Sequence, residues 1–418
     1  MSPQSSAKVI VSHPTGNANV SAVVSALHEA ELLEAFYTCI LWRPESTLAK
    51  LVPGSVRAML QRRTRVQLPP ELVHTRPFRE LVRNFLIRAG KRHFVTPETS
   101  YFSIDNVYAD IDRFVARSLP GYKGLRGVYA YEDGALHQFR KARQLGVHCI
   151  YDLPIGYWRA NREIAIEEAE LQPAWKGTLN ALADSPAKLA RKDEEIALAD
   201  TIVVASSYTR STLKLYPREI KKIVVIPYGT PRPIAASREV TSKEKPLRVL
   251  YVGSLAQRKG ISYLFEAIDK LGSAVTLTVV GRKVGSSEAL DKACNTHRWI
   301  PSLPHSEILS EMRQHDVFVF PSLFEGFGLV IGEALSQGLP VITTPNTGGP
   351  DILRDQQDGF IVPIRDPEAI SARLLQLHQD RDLLHHMSES ALQRAAELTW
   401  QGYKDRTVDA VRVAISGS

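Results

Sequence analysis

The chain has 418 residues, 44% of them hydrophobic and 23% charged, with a net charge of +7 and three cysteines. That length and composition allow two or three soluble domains, each with a core of its own. They exclude a disulfide scaffold and a zinc site, because Cys39, Cys149 and Cys294 are far apart with no Cys/His cluster, and a membrane span, which needs about 18 consecutive apolar residues.

The opening stretch, MSPQSSAKVIVSHPTG, has no apolar core long enough for a signal peptide, so the sequence reads as cytoplasmic with any membrane contact peripheral. KVIVS (8–12) predicts a buried strand. A helix follows over NVSAVVSALHEAELL, with Gly16 just before it and Asn17 and Asn19 as candidate caps. FYTCIL (36–41) predicts the next strand. Between Arg43 and Phe94 stand twelve Lys or Arg and three Glu, so this segment holds the positive charge and the remainder is close to neutral. Here Phe78, Leu81, Val82, Phe85 and Leu86 recur at helical spacing beside Arg79, Arg83 and Arg88. Such a helix either packs its apolar side on a core or lies on an anionic membrane, where each cation contributes about 1 kcal/mol. No nucleic-acid module accompanies the charge, and nucleic acid is not an expected partner.

Further along, VYAYEDGALHQF places Glu132 and Asp133 at a strand end, where capping of the next helix is the simplest role. GVHCIY (146–151) is another strand, with His148 packed inside it and Asp152, Pro154, Tyr157, Trp158 and Arg159 beyond it. TIVVA (201–205) and KIVVIP (222–227) complete a first series, and Ser206 and Ser207 read as caps. Residues 231–246, rich in Pro, Ser, Thr and charge, read as a linker. A second series then begins: LRVLYVG (247–253), AVTLTVVG (274–281), DVFVFPS (316–322), PVITT (340–344) and GFIVP (359–363). Continuous apolar strands spaced by helices indicate parallel sheets covered on both faces. The expected fold is therefore α/β: two doubly wound, Rossmann-like domains, residues 1–230 and 247–399, facing across a cleft.

In such domains ligands bind at the carboxyl ends of the strands. DVFVF ends at Pro321 and Ser322, and a helix is expected from about Leu329 to just before Gly338. Glu325, Gly326, Phe327 and Gly328 then fill the connecting loop, and Glu333 lies one turn into the helix. Glycines there let a ligand approach the backbone, and the first helical N–H groups suit an anion such as phosphate.

The Glu-x7-Glu spacing within FPSLFEGFGLVIGEALSQGLPVITTPNTGG resembles the signature of family 4-type retaining glycosyltransferases, which have the GT-B fold. VLYVGSLAQRKGISYLFEAIDKL, TLTVVGR and TPNTGGPDILRDQQDGFIVP are similar to neighbouring segments of that family. The resemblance is strong over about 247–370 and weakens to architecture over residues 1–230. It implies transfer of a sugar from a nucleoside-diphosphate donor, UDP- or GDP-linked, to a hydroxyl acceptor, without a metal or another cofactor.

Carried over, the resemblance implies that Glu333 accepts hydrogen bonds from the donor ribose and that Glu325 contacts the transferred sugar. Phe327, Gly328 and Leu329 would offer backbone groups, and Lys259 would neutralise the leaving diphosphate. A departing diphosphate accumulates negative charge, which a positioned cation stabilises. Where the family has Gly-Arg this chain has Gly253-Ser254, and Arg258 is the candidate second cation. Gly16 stands where the family often has a glycine pair near the phosphates. Asp152 stands near the place of a family histidine that faces the sugar, and an acid there can hydrogen-bond a sugar hydroxyl. Trp400 and the pattern of Val408, Val411 and Val413 resemble the family's last helix, about 400–418, which crosses back onto the N-terminal domain. The basic segment 43–94 favours a lipid-linked or cell-surface glycan as acceptor. The alternatives are another GT-B enzyme, an epimerase or a phosphorylase, or a non-catalytic glycan-binding protein. A phosphorylase would need a cofactor lysine in a much longer chain.

Overall fold

A computed structural model describes residues 7–42, 66–235 and 242–416. The basic run 43–65 and part of the linker, 236–241, lie outside the described residues.

The first sheet contains β1 (Lys8–Ser12), β2 (Leu33–Thr38), β3 (Val73–Thr75), β4 (Leu125–Tyr131), β5 (His148–Leu153), β6 (Thr201–Val204) and β7 (Ile223–Val225). Their order is β3-β2-β1-β4-β5-β6-β7, and every pairing is parallel. The second contains β8 (Leu247–Val252), β9 (Val275–Val280), β10 (Arg298–Ile300), β11 (Val317–Phe320), β12 (Val341–Thr343) and β13 (Gly359–Ile361). Its order, β10-β9-β8-β11-β12-β13, is also parallel throughout. The strand order reverses between β1 and β4 and again between β8 and β11, where a crevice for ligands opens at the carboxyl edge. The expected pair of doubly wound domains is thus present.

Boundaries differ in instructive places. The helix Ala18–Glu29 ends sooner than expected because Glu31 takes a left-handed φ of 58° and Leu32 N–H donates back to Leu27 O at 2.8 Å. The following strand therefore starts at Leu33 and ends at Thr38. Strands β3 and β10 are three residues long and lie at sheet edges, too short to leave a pattern in the sequence.

The chain passes between domains twice, side by side. Thr230 N–H donates to Leu398 O at 2.7 Å, and Thr230 pairs with Thr399. The final helix, Trp400–Ser416, returns to the first domain and buries Tyr403, Val408, Val411 and Ile415 there. Trp400 stacks on Tyr228 at the crossing, as its expected structural role requires.

The helix Phe78–Arg88 is built the other way round from an ordinary surface helix. Glu80 is 1% exposed, while Phe78 is 64% and Phe85 68% exposed. Phe78, Leu81 and Phe85 face outward, while Val82, Leu86 and Ile87 are partly buried.

Candidate active site

The site forms where the loops after β8 and β11 meet. After β8 comes a short turn, Gln257–Lys259, closed by Gly260 at φ 67°; a Cβ there would lie 2.0 Å from Pro321 O, so only glycine fits. Leu323 and Phe324 both donate their N–H to Arg258 O, at 3.0 and 3.3 Å. The Arg258 guanidinium returns a bond of 2.5 Å to Phe324 O. These bonds fasten the two loops together and set Lys259 against Glu325, with which it forms an ion pair. Arg258 lies 4.0 Å from the same carboxylate.

Lys259 is almost wholly buried, and its ammonium also lies 5.0 Å from the centre of the Phe320 ring. Burial, and then the neighbouring Arg258 charge, press its pKa well below the usual lysine range. Burial lowers the Arg258 pKa in the same way. Two desolvated cations therefore share one carboxylate, an arrangement with surplus capacity for an anion.

The remainder of the loop is tied at every carbonyl from Ser322 to Phe327 except that of Glu325. Thr344 donates to Ser322 O at 2.5 Å, Asn346 to Leu323 O at 2.8 Å, and Gly348 N–H to Phe327 O at 2.6 Å. The first domain holds Gly326 O through Ser206 and Thr209 hydroxyls at 2.5 and 2.9 Å. Gly328 takes φ 86° and starts the helix Leu329–Ser336, whose N-terminus has no side-chain cap. Helix and loop thus match the expectation, and Glu333 projects one turn in, 3.0 Å from His305 Nε2.

Other expected residues are placed as follows. Gly253 and Ser254 follow β8 directly and back onto Gly281, with Gly253 N–H on Val280 O and the Tyr251 hydroxyl on Ser254 O. Gly16 takes φ 63° and donates its N–H to His13 Nδ1, and Asn17 caps the next helix at Val20. Asn19 does not cap; its amide donates to the Tyr228 hydroxyl at 3.0 Å. Tyr228 in turn meets the Phe327 ring at 5.1 Å, so the Gly16 end of the first domain reaches the glutamate loop through one residue.

Asp152 is 2% exposed on the sheet face covered by the last helix, and it accepts a 2.6 Å bond from the Tyr129 hydroxyl. Burial raises its pKa to about 7. It lies beneath the cleft, not open to it. The next residues touch the site instead: a Cβ on Gly326 would fall 1.9 Å from Pro154 O. Glu132 and Asp133 do not cap the following helix. They pair with Lys192 and Arg191, while Asp112 and Glu195 accept the N–H groups at that helix start. His148 is half-buried and bonds Thr201 at the edge of its strand. Ser206 does cap the helix Ser207–Thr212.

Sequence reasoning missed His305, Tyr228, Thr209 and His13. Each comes from a segment far from the glutamates, and only the strand-end rule for His13 and Tyr228 could have indicated them. Among the described residues, no group of three or more His, Cys, Asp or Glu is placed to hold a metal ion.

Comparison with known proteins adds an independent view. Residues 234–394 match the family model described as glycosyl transferases group 1. Over 276 residues the chain is 28% identical to a D-inositol 3-phosphate glycosyltransferase of Segniliparus rotundus, an alignment covering 60% of this chain and 61% of that one. The chain thus spans about three-fifths of that relative's length. Among solved structures, a sucrose-phosphate synthase from Thermosynechococcus elongatus superposes with TM-score 0.67 at 16% identity, covering 99% of this chain and 100% of that one. HepE from Anabaena, solved with UDP, gives TM-score 0.62 at 13% identity, covering 97% and 100%.

Proposed function

Residues 234–394 belong to the glycosyl transferases group 1 family within a two-domain GT-B fold, and on that premise we propose that the protein is a retaining glycosyltransferase. It moves a sugar from a UDP- or GDP-linked donor to a hydroxyl on a lipid-linked or cell-surface glycan. The carrying observation is the buried Lys259–Glu325 pair with Arg258 beside it, at the mouth of an uncapped helix.

The residues divide the work by charge. Before donor arrives, Glu325 is the counter-ion of Lys259. A diphosphate replaces it, taking both cations and the first N–H groups of the helix Leu329–Ser336. Glu325 is then free to accept hydrogen bonds from the transferred sugar and to oppose positive charge developing at its anomeric carbon. Glu333 accepts from the ribose hydroxyls in place of His305. On the retaining route the anomeric carbon–phosphate bond breaks as the acceptor oxygen adds to the same face. The leaving phosphate oxygen takes the acceptor proton, so no further base is required. Arg258 and Lys259 supply the charge neutralisation that a metal ion gives in other transferases.

UDP in the HepE structure supports a nucleotide donor by likeness of fold. The outward Phe78 and Phe85, next to exposed Arg88, Lys91 and Arg92, support an acceptor at an anionic membrane surface. The test is titration with UDP-, GDP- and TDP-sugars, with slow hydrolysis followed in parallel. Saturable binding of one of them, with release of its sugar, is expected, and silence across the whole panel removes the enzyme reading.

A further inference from the structure

The carboxylate of Glu168 is entirely buried, yet it belongs to the first domain while all its hydrogen-bond donors belong to the second. Gln257 Nε2 donates to it at 2.7 Å, Arg365 Nε at 2.5 Å and the Tyr263 hydroxyl at 3.2 Å. Arg365 reaches it from a left-handed backbone, φ 61°, a conformation that costs free energy for a side chain of this size and persists only when its surroundings enforce it.

Gln257 is the first residue of the turn that carries Arg258 and Lys259. Its backbone N–H donates to Thr178 Oγ1, also of the first domain, at 2.9 Å. Its side-chain amide spends one hydrogen on Glu168 and the other on Ser262 Oγ at 2.7 Å, leaving Oε1 buried with no partner. Rotating the amide would turn that oxygen on the carboxylate, so Glu168 fixes the amide in one sense. The main chain and side chain of Gln257 are therefore both gripped by the domain opposite.

We propose that Glu168 is a positioning residue: acting through Gln257, it sets the Arg258–Lys259 turn where a nucleoside diphosphate is received, and it does so only when the domains are together. This rests on the transferase reading and extends it, since the cation site becomes a joint product of both domains. Closure then assembles the charge that receives the diphosphate, and a separated second domain has the same residues loosely held.

The experiment is calorimetric titration of the full chain with UDP, GDP, uridine and guanosine. Glu168→Gln presents an N–H to Arg365 or to Gln257 in place of an acceptor, and Thr178→Val removes the acceptor of the Gln257 N–H at nearly constant volume. Both should weaken diphosphate binding about tenfold while leaving the nucleosides unaffected, because the turn faces phosphate alone. Wild-type diphosphate affinity in both variants overturns the proposal, as does an equal loss for diphosphate and nucleoside, which marks general loosening. If the wild-type chain binds none of the four, the transferase reading itself falls, and this proposal with it.

Discussion

Glu333 and Asp152 are both carboxylates near strand ends, and their surroundings give them opposite characters. Glu333 is partly open and held by a single exposed histidine, His305. A ribose can take over that bond at small cost. Glu333→Ala removes a charged acceptor and should cost about 1.5 to 3 kcal/mol in donor binding, roughly tenfold to over a hundredfold in affinity. An unchanged donor titration would dismiss the ribose role. Asp152 is shut away from solvent, which penalises its charged form. Its carboxyl titrates near 4 when unfolded and about 7 when folded. Between those values the folded chain binds the extra proton, so stability falls as pH rises through the window and levels off above about 7. Asn keeps an acceptor for the Tyr129 hydroxyl and does not ionise. Asp152→Asn should therefore gain stability relative to wild type from pH 5 to about pH 7, by roughly 1.4 kcal/mol for each pH unit crossed, with no further gain up to pH 8. An equal stability difference at pH 5 and pH 7 would contradict it.

At the scale of the element, the loop between β11 and its helix is held more firmly than a mobile lid. Each peptide from Ser322 to Phe327 except Glu325 has its carbonyl bonded from another segment. Gly326 decides how near the domains come. It has no left-handed φ, so Ala is locally tolerated, but the added carbon would stand 1.9 Å from Pro154 O and 2.8 Å from Ile155 Cα. Gly326→Ala should weaken donor binding, since the cation turn is set by the closed domains, and should reduce turnover further, by up to about a hundredfold, since a shift near 1 Å also disturbs alignment. Equal turnover would show that the contact plays no part in the reaction. The helix Phe78–Arg88 is the converse case: buried Glu80 pairs with Arg83, and aromatic rings stand in solvent.

For the molecule as a whole, the two parallel sheets were legible because strands buried on both faces read as unbroken apolar runs. Glu325, Lys259 and the helix start at Leu329 were legible because their relation is local, within one strand-loop-helix unit each. The partners His305, Tyr228, Ser206 and Thr209 act across the fold, where spacing along the chain gives no information. Asp152 shows a finer failure. The two-residue alternation of a strand puts it on the face of Ile150, Tyr129 and Tyr131, opposite Tyr151, and so toward the covering helix. Strand-end position alone had suggested an open carboxylate.

The final helix bears on how the molecule is made. All seven strands of the first sheet are in place by Val225, yet Trp400–Ser416 covers that domain: Lys404 pairs with Glu29 at 2.8 Å, and a Cβ on Gly127 would meet Ile415 at 2.9 Å. Residues 1–230 expressed alone should therefore bind a hydrophobic dye strongly, and adding the 400–416 segment as a peptide should quench that signal; a dye-silent fragment would refute this. On the ribosome the N-terminal half emerges first and waits, one apolar flank bare, through the translation of the entire second domain. The first domain to be born is the last to be finished.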